Sequence, residues 1–259
     1  MLPRFGPAVT AVLDVVNRSP AAVGAHDRQG WLDLFARNHI VEDPVGGTPV
    51  VGGLYDRRSG GRGPGGLARF WDTYIAPRTV RFEYEAADIV TGLDVVRDVT
   101  LHISDDTGVQ IRTPAHLLYQ LTEDEGALKI RRLAAHWEVT PTVIQTLGIG
   151  RAKVRSLSAT SVRLLKHQGL GGAMGFGRAM RSVGEAGKAA ALDLVSAAER
   201  GDDRALRLLG GSVVTNPSKL IAAGDTVSMT CTVEGAHAVA LFYLDRRTNS
   251  VVEADVYVA

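Results

Sequence analysis

Cysteine is nearly absent. Cys231 stands alone in 259 residues, so no internal disulfide can form and a reducing compartment is permitted. Within Ser228-Met229-Thr230-Cys231-Thr232-Val233 it reads as a strand residue and not as a nucleophile. Net charge is lacking too: 29 Lys and Arg face 28 Asp and Glu, and the balance of +1 gives no electrostatic case for nucleic acid. No window approaches about 18 uninterrupted apolar residues, so no integral membrane segment is expected. The start, Met1-Leu2-Pro3-Arg4-Phe5-Gly6-Pro7, lacks a basic stretch followed by an apolar run, so no signal peptide is read and a cytoplasmic protein is expected. His, Cys and Asp show no metal-ligand spacing, no serine sits in Gly-x-Ser-x-Gly, and the glycines form no phosphate loop. Neither metal nor cofactor is expected.

What is present is an ordinary globular composition, 45% hydrophobic and 22% charged, in a length that suits one large domain or two small ones. Val9, Val12, Leu13, Val15 and Val16 give an amphipathic helix over about 7–17, which Asn17-Arg18-Ser19-Pro20 interrupts. A second helix has Asp27 as N-cap and Trp31, Leu34 and Phe35 at i, i+3, i+4 spacing. His39 to Asp43 is strand-like and ends at Pro44. Residues 46–66 form a glycine-dense loop carrying Arg57, Arg58 and Arg62, which serve solubility or grip an anionic group. A third helical pattern, 67–75, holds Phe70, Trp71 and Tyr74 and stops before Pro77. Four strand-like runs follow at 80–86, 95–103, 110–121 and 130–139, separated by Asp- and Gly-containing turns of hairpin type. The pattern is α+β, with helices over one face of a curved antiparallel sheet.

From Thr140 the composition changes. Lys153, Arg155, Arg163, Lys166, Arg178 and Arg181 flank a glycine-rich middle, read as a basic interdomain linker with helical ends. Beyond it come a helix from Ala189, a Gly201-Asp202-Asp203 turn, a helix over 204–209, and strand-like runs at 212–215, 226–233, 238–244 and 251–258. Helix, Gly-Asp turn, helix, strand and hairpins is the order of the first half again, so a second, shorter copy of the same unit is expected.

The stretch around which these elements are arranged is Val41-Glu42-Asp43-Pro44-Val45-Gly46. Proline pushes the residue before it out of the helical region, so Asp43 ends a short extended segment. Two readings follow: Asp43 caps its own turn, or it is a general base at the mouth of an apolar cavity.

The run Trp31-Leu32-Asp33-Leu34-Phe35-Ala36-Arg37-Asn38-His39-Ile40-Val41-Glu42-Asp43-Pro44-Val45-Gly46 resembles the bacterial ketosteroid isomerases of the NTF2-like (SnoaL-like) superfamily. Gly53, Phe70-Trp71 and Thr113-Pro114-Ala115-His116-Leu117-Leu118-Tyr119 fall in order behind it. The resemblance covers 7–140 well and 187–259 as a weaker pattern. It implies two tandem cone-shaped α+β barrels: 1–145, a basic Gly-rich linker over 146–186, and a shortened, degenerate second unit over 187–259. It places Asp43 on the proton-shuttling aspartate and His116 where the family has a protonated aspartate that helps bind the oxyanion. A neutral His can donate one N–H to that oxyanion. The family's first-helix tyrosine falls near Ser19, and another tyrosine is replaced by Trp71. Phe35, Trp71, Phe82, Tyr119 and Trp137 would line a flat apolar pocket for a small polycyclic substrate. In the second unit Asn216 takes the place of Asp43, and an amide is no carboxylate base, so that half is expected to be structural or to form a homodimer.

Three functions compete. The first is a steroid Δ-isomerase-like enzyme that shifts a double bond by proton abstraction next to a carbonyl, with Asp43 as base and His116 as polariser. The second is an epoxide hydrolase or cyclase of the same superfamily, which needs a second carboxylate beside Asp43. Asp88, Asp94 and Asp98 lie near strand ends, and strand alternation points Glu42 the other way. The third is a non-catalytic protein that binds an apolar ligand or serves assembly.

Overall fold

A proline inside the first helix sets the first problem. The computed structural model describes residues 9–52, 65–106, 108, 110–139 and 181–259. In it helix α1 runs unbroken over Val9–Gly24, with Pro20 in its interior. Proline has no N–H, so the carbonyl four residues earlier, that of Val16, loses its helical donor. Arg97 Nη1, 81 positions on, donates to the Val16 carbonyl at 3.3 Å instead. The helix expected to break at Asn17–Pro20 therefore continues, because a tertiary partner replaces the missing bond. Helix α2 (Arg28–Leu32) starts as expected, with the Asp27 carboxylate accepting from the Gly30 N–H at 2.9 Å. It is shorter than its apolar spacing suggests, and Phe35 already opens strand β1 (Phe35–Glu42). The third helix divides into α3 (Gly66–Phe70) and a π-helical turn over Trp71–Ile75.

Strands β2 (Val50–Val51), β3 (Arg78–Tyr84), β4 (Ile89–Thr91), β5 (Asp94–Asp105), β6 (Gln110–Asp124) and β7 (Ala127–His136) complete a seven-stranded sheet. Its order is β2-β1-β7-β6-β5-β3, with β4 also paired to β5. The meander β5-β6-β7 is antiparallel as expected, but β1 lies parallel to β7, which makes the sheet mixed. No hairpin joins these two strands, so nothing local imposes the antiparallel direction. Helices α1 to α3 cover one face. Trp31 anchors that core, with ring centroids 4.6 Å from Phe35, 5.5 Å from Trp71 and 6.0 Å from Phe70.

The second group of elements is helix α4 (Gly184–Glu199), helix α5 (Asp203–Leu208) and strands β8 (Val214–Ala223), β9 (Thr226–Val233), β10 (Ala236–Asp245) and β11 (Ser250–Val258). These strands form one antiparallel sheet ordered β11-β10-β9-β8. The Asp202 carboxylate caps α5 through the Ala205 N–H at 2.8 Å. Strand β8 is longer than expected and passes through Asn216-Pro217-Ser218 with two register shifts, Asn216 and Lys219 both at positive φ. The expected linker's last residues belong to α4, which starts at Gly184. Lys153, Arg155, Arg163, Lys166 and Arg178, like Arg57, Arg58 and Arg62 of the glycine loop, lie outside the described residues.

The two sheets meet face to face. Ile89, Val96, Leu118 and Ala134 on the outer face of the first sheet pack with Val45 against Ala223, Val239, Leu241 and Tyr257. Both faces of the first sheet are therefore buried over these strands, one under helices and one under the second sheet.

Candidate functional site

Strand pairing determines what surrounds Asp43. Val41 of β1 lies opposite Leu133 of β7 and Glu42 opposite Ala134, and the Val45 N–H donates to the Ala135 carbonyl at 2.9 Å. The Asp43–Pro44 bond, which is cis, thus leaves β1 alongside Ala135, two residues before Trp137. Trp137 reaches back, and its indole N–H donates to Asp43 Oδ1 at 2.6 Å. Alternation sends Glu42 to the opposite face, where it accepts from Arg132 at 2.7 Å.

Asp43 is reached by solvent, yet burial by surrounding protein is the largest influence on its carboxyl. Protein groups crowd the carboxyl while its side chain keeps exposed surface. Desolvation holds its pKa above the ordinary carboxylate value, while the Trp137 hydrogen bond and the charge of Arg78 pull part of the way back. Arg78 is fixed from the π-helical turn, donating through Nη1 to the carbonyls of Tyr74 at 2.8 Å and Thr73 at 3.2 Å. The Tyr74 ring packs at 5.1 Å from Phe70. Burial pushes its phenol up to about 12, Arg78 lowering it and Asp43 raising it, so it remains a hydrogen-bond donor at any ordinary pH. Among the described residues, Asp43, Trp137, Arg78 and Tyr74 are the polar groups gathered here. Of these, the sequence marks Tyr74 only as a helix aromatic and does not mark Arg78, and no spacing rule singles out either.

The predicted residues separate. Asp43 and Trp137 come together, with Trp137 a hydrogen-bond donor and more than lining. Trp71 and Phe35 are buried around Trp31, and Phe82 packs half-buried against the same core. Tyr119 is buried on the helix-covered face, where a hydrogen bond with Ser19 offsets part of the burial that raises its pKa. Ser19, at the expected tyrosine position, also accepts from the Trp31 indole at 3.2 Å.

His116 is a correction. In β6, Thr113, Ala115, Leu117 and Tyr119 face the helices, and alternation turns His116 towards the second sheet. There Nδ1 meets Ser228 Oγ at 2.7 Å and Nε2 meets Thr230 Oγ1 at 2.9 Å. Burial drives its pKa down to about 3, so it is neutral, but it faces away from Asp43 and polarises nothing there.

The carboxylates weighed as partners of Asp43 are engaged elsewhere. Asp88 binds Arg97 at 2.9 Å, Asp94 accepts from Gln120 at 2.9 Å, and Asp98 accepts from Lys219 and from Thr230 at 2.6 Å. Among the described residues no group of His, Cys, Asp and Glu has metal-site geometry, and no helix is long and apolar enough to cross a membrane. Cys231 is buried in β9, its thiol pushed up to about 11, which suits the inert strand residue expected.

No family model matches the chain, and no curated protein matches it. Among solved structures it is similar to a Δ5-3-ketosteroid isomerase from a Mycobacterium species, with 27% identity over 49% of this chain and 93% of that one and a TM-score of 0.40. It is similar to a Mycobacterium tuberculosis protein in complex with estradiol-17β-hemisuccinate, with 24% identity over 50% of this chain and 95% of that one and a TM-score of 0.39. An LEH-like epoxide hydrolase from M. tuberculosis is similar at 15% identity over 60% of this chain and 98% of that one, with a TM-score of 0.40.

Proposed function

We propose that this chain is an isomerase of the ketosteroid isomerase kind, acting on a flat apolar polycyclic substrate with Asp43 as the general base. The observation that carries the reading is the Asp43 carboxyl: exposed to solvent, raised in pKa by burial, and held by the Trp137 indole N–H at 2.6 Å. A base of that kind matches proton abstraction next to a carbonyl near neutral pH. The C–H bond breaks, the proton passes to Asp43, and the electron pair moves to the carbonyl oxygen as a dienolate. Asp43 then returns the proton to the far carbon of the conjugated system, which shifts the double bond with no net change of oxidation state.

The dienolate oxygen needs a hydrogen-bond donor. His116 faces the second sheet and Ser19 is engaged with Trp31 and Tyr119, so we assign the role to the Tyr74 phenol. Asp43→Asn should abolish turnover of a steroid 5-ene-3-ketone, followed by the ultraviolet absorbance of the conjugated product, with circular dichroism unchanged. A variant that still turns over would remove Asp43 from the mechanism. Tyr74→Phe should cost on the order of 10²–10³ in rate, the usual effect of losing one oxyanion donor.

One observation favours a second reading, a carrier or binding protein for apolar ligands: the two oxyanion positions implied by the resemblance are filled by groups committed elsewhere. A planar phenol such as 2-naphthol separates the two. Fluorescence binding without any turnover of the 5-ene-3-ketone supports the carrier. The epoxide-opening alternative has less behind it, since the carboxylates it would recruit hold Arg97, Lys219, Gln120 and Arg132. We retain the division into 1–145 and 187–259 as two related units, the second shortened.

A further inference from the structure

The residues on either side of the candidate site do not end in solvent. Following Asp43-Pro44, Val45 is buried among Ala223, Val239, Leu241 and Tyr257 of the second sheet. Gly46, at φ +86, lies against the backbone of Gly224 in the β8–β9 turn. A Cβ added at Gly46 would fall 2.3 Å from Gly224 Cα, and one at Gly224 would fall 2.6 Å from Gly46 Cα. Both positions therefore need glycine, for the contact as well as for the positive φ. The Gly224 carbonyl is itself fixed by the Val183 N–H at 2.8 Å, just ahead of α4.

The other side repeats the arrangement. Glu138 follows Trp137, and its carboxylate accepts the Ala222 N–H at 2.9 Å and pairs with Lys188 of α4 at 2.6 Å. Before Asp43, Glu42 binds Arg132, whose guanidinium also interacts with Tyr243 of β10. Three attachments thus converge on the two short segments that carry Asp43 and Trp137, and all three come from one group of elements.

We infer that the C-terminal unit is a positioning element for the site: the β8–β9 turn and the start of α4 fix the Asp43 loop and Trp137 in hydrogen-bonding register. The inference rests on Asp43 being the functional carboxylate. Glu138 and Gly224 act through Asp43 and Trp137 and touch no substrate; they are positioning residues.

The test uses the full-length chain and two readouts that need no substrate: the Trp137 indole N–H resonance, assigned by loss in Trp137→Phe, and the carboxyl carbon titration of Asp43. Glu138→Gln, Lys188→Met and Gly224→Ala are compared with Ser228→Ala, which alters the same sheet-to-sheet interface at His116 and away from the site. The first three should move the indole resonance and shift the Asp43 midpoint upwards, because the Trp137 bond favours the carboxylate. Turnover of the 5-ene-3-ketone should fall about tenfold or more, the usual sensitivity of catalysis to small displacements. Ser228→Ala should leave both resonances in place. If Glu138→Gln and Lys188→Met leave the indole and the titration as in the parent, or if Ser228→Ala moves them equally, the unit is cover only and the inference falls. Gly224→Ala is the severest variant, and the two α4-contact variants decide the matter if it does not fold. Should Asp43→Asn turn over normally, the base assignment fails, while these two resonances still report on positioning.

Discussion

The N-terminal elements (α1 to β7) and the C-terminal elements (α4 to β11) differ in what fills them. The first group buries Trp31, Phe35, Phe70, Trp71 and Tyr119 between helices and sheet and leaves Asp43 exposed. The second packs Ala191, Ala198, Ala205, Ala222, Ala238 and Ala240 with valines, Met229 and Phe242. Small side chains let helix and sheet approach closely, and a four-stranded sheet has little concavity to enclose. Asn216, expected from the sequence to stand in the place of Asp43, donates its amide to Thr232 Oγ1 at 3.0 Å. The bulges of β8 re-aim Lys219 so that its ammonium reaches Asp98 and, at 2.6 Å, the Val99 carbonyl of the first sheet.

The N-terminal elements should be the more vulnerable to loss of an internal brace. Arg97 is 1% exposed, pairs with Asp88, lies beneath the rings of Tyr84 and Tyr119, and fills the gap that Pro20 leaves at Val16. Arg97→Met should cost about 3–5 kcal/mol by leaving Asp88 unpaired and a helix carbonyl unsatisfied, read from urea unfolding. Pro20→Ala should recover part of that loss in the Arg97→Met background and far less in the parent. Equal effects in both backgrounds would sever the link between proline and arginine.

The second comparison concerns acid. His116 lies between the units and His136 beside it, with pKa values lowered to about 3 and about 4, mainly by burial. A folded value below the unfolded one means the unfolded chain binds more protons. Stability is therefore full above about pH 6.5 and is lost as pH falls through 6.5 towards the folded values, on the order of 2 kcal/mol for each group at pH 5. Asp98 adds to the loss only below the ordinary carboxylate value, since its folded pKa is lowered. His116→Gln should flatten the pH dependence between 6.5 and 4. An unchanged slope would mean the interface histidine is hydrated or charged.

How far these features were legible follows from where their causes lie. The extended end at Asp43 was legible because its motif is local, and the Asp27 cap because a cap acts over three residues; the Asp202 cap was not read. The continuation of α1 was hidden, since its cause is Arg97, far along the chain. The facing of His116 towards the second sheet is hidden for a different reason. In β6 the outward residues His116 and Leu118 are as buried as the inward Leu117 and Tyr119, because a second sheet covers them. Alternation of polarity, the usual guide to facing, disappears when both faces are dry. Tyr74 and Arg78 were obscured because a π-helical turn breaks the 3.6-residue spacing.

A smaller effect separates function from stability in the first unit. Asp43 has a raised folded pKa, so its fold favours the protonated form; the cost appears as pH rises through the unfolded carboxylate value and vanishes below it. Asp43→Asn should therefore be at least as stable as the parent at pH 7 in thermal melts, with the difference closing towards pH 3. A clear loss of stability at pH 7 would mean that the carboxylate is a structural brace and would weaken its reading as a base.

The smallest effect expected is the most direct check on whether the units behave as one body. All three tryptophans, Trp31, Trp71 and Trp137, belong to the first unit, and the single thiol, Cys231, is buried in the second. Burial raises that thiol to about 11, so in the folded chain it is both shielded and protonated. The contacts across the interface (Val45 with Ala223, Gly46 with Gly224, Asp98 with Lys219, Glu138 with Lys188) are numerous enough that opening the second unit alone would expose two apolar faces. Labelling of Cys231 by a thiol reagent in rising urea should therefore track tryptophan fluorescence with a common midpoint. Labelling that runs well ahead of the fluorescence change would show the C-terminal unit opening independently, and a unit that opens freely could not hold Asp43 and Trp137 in register.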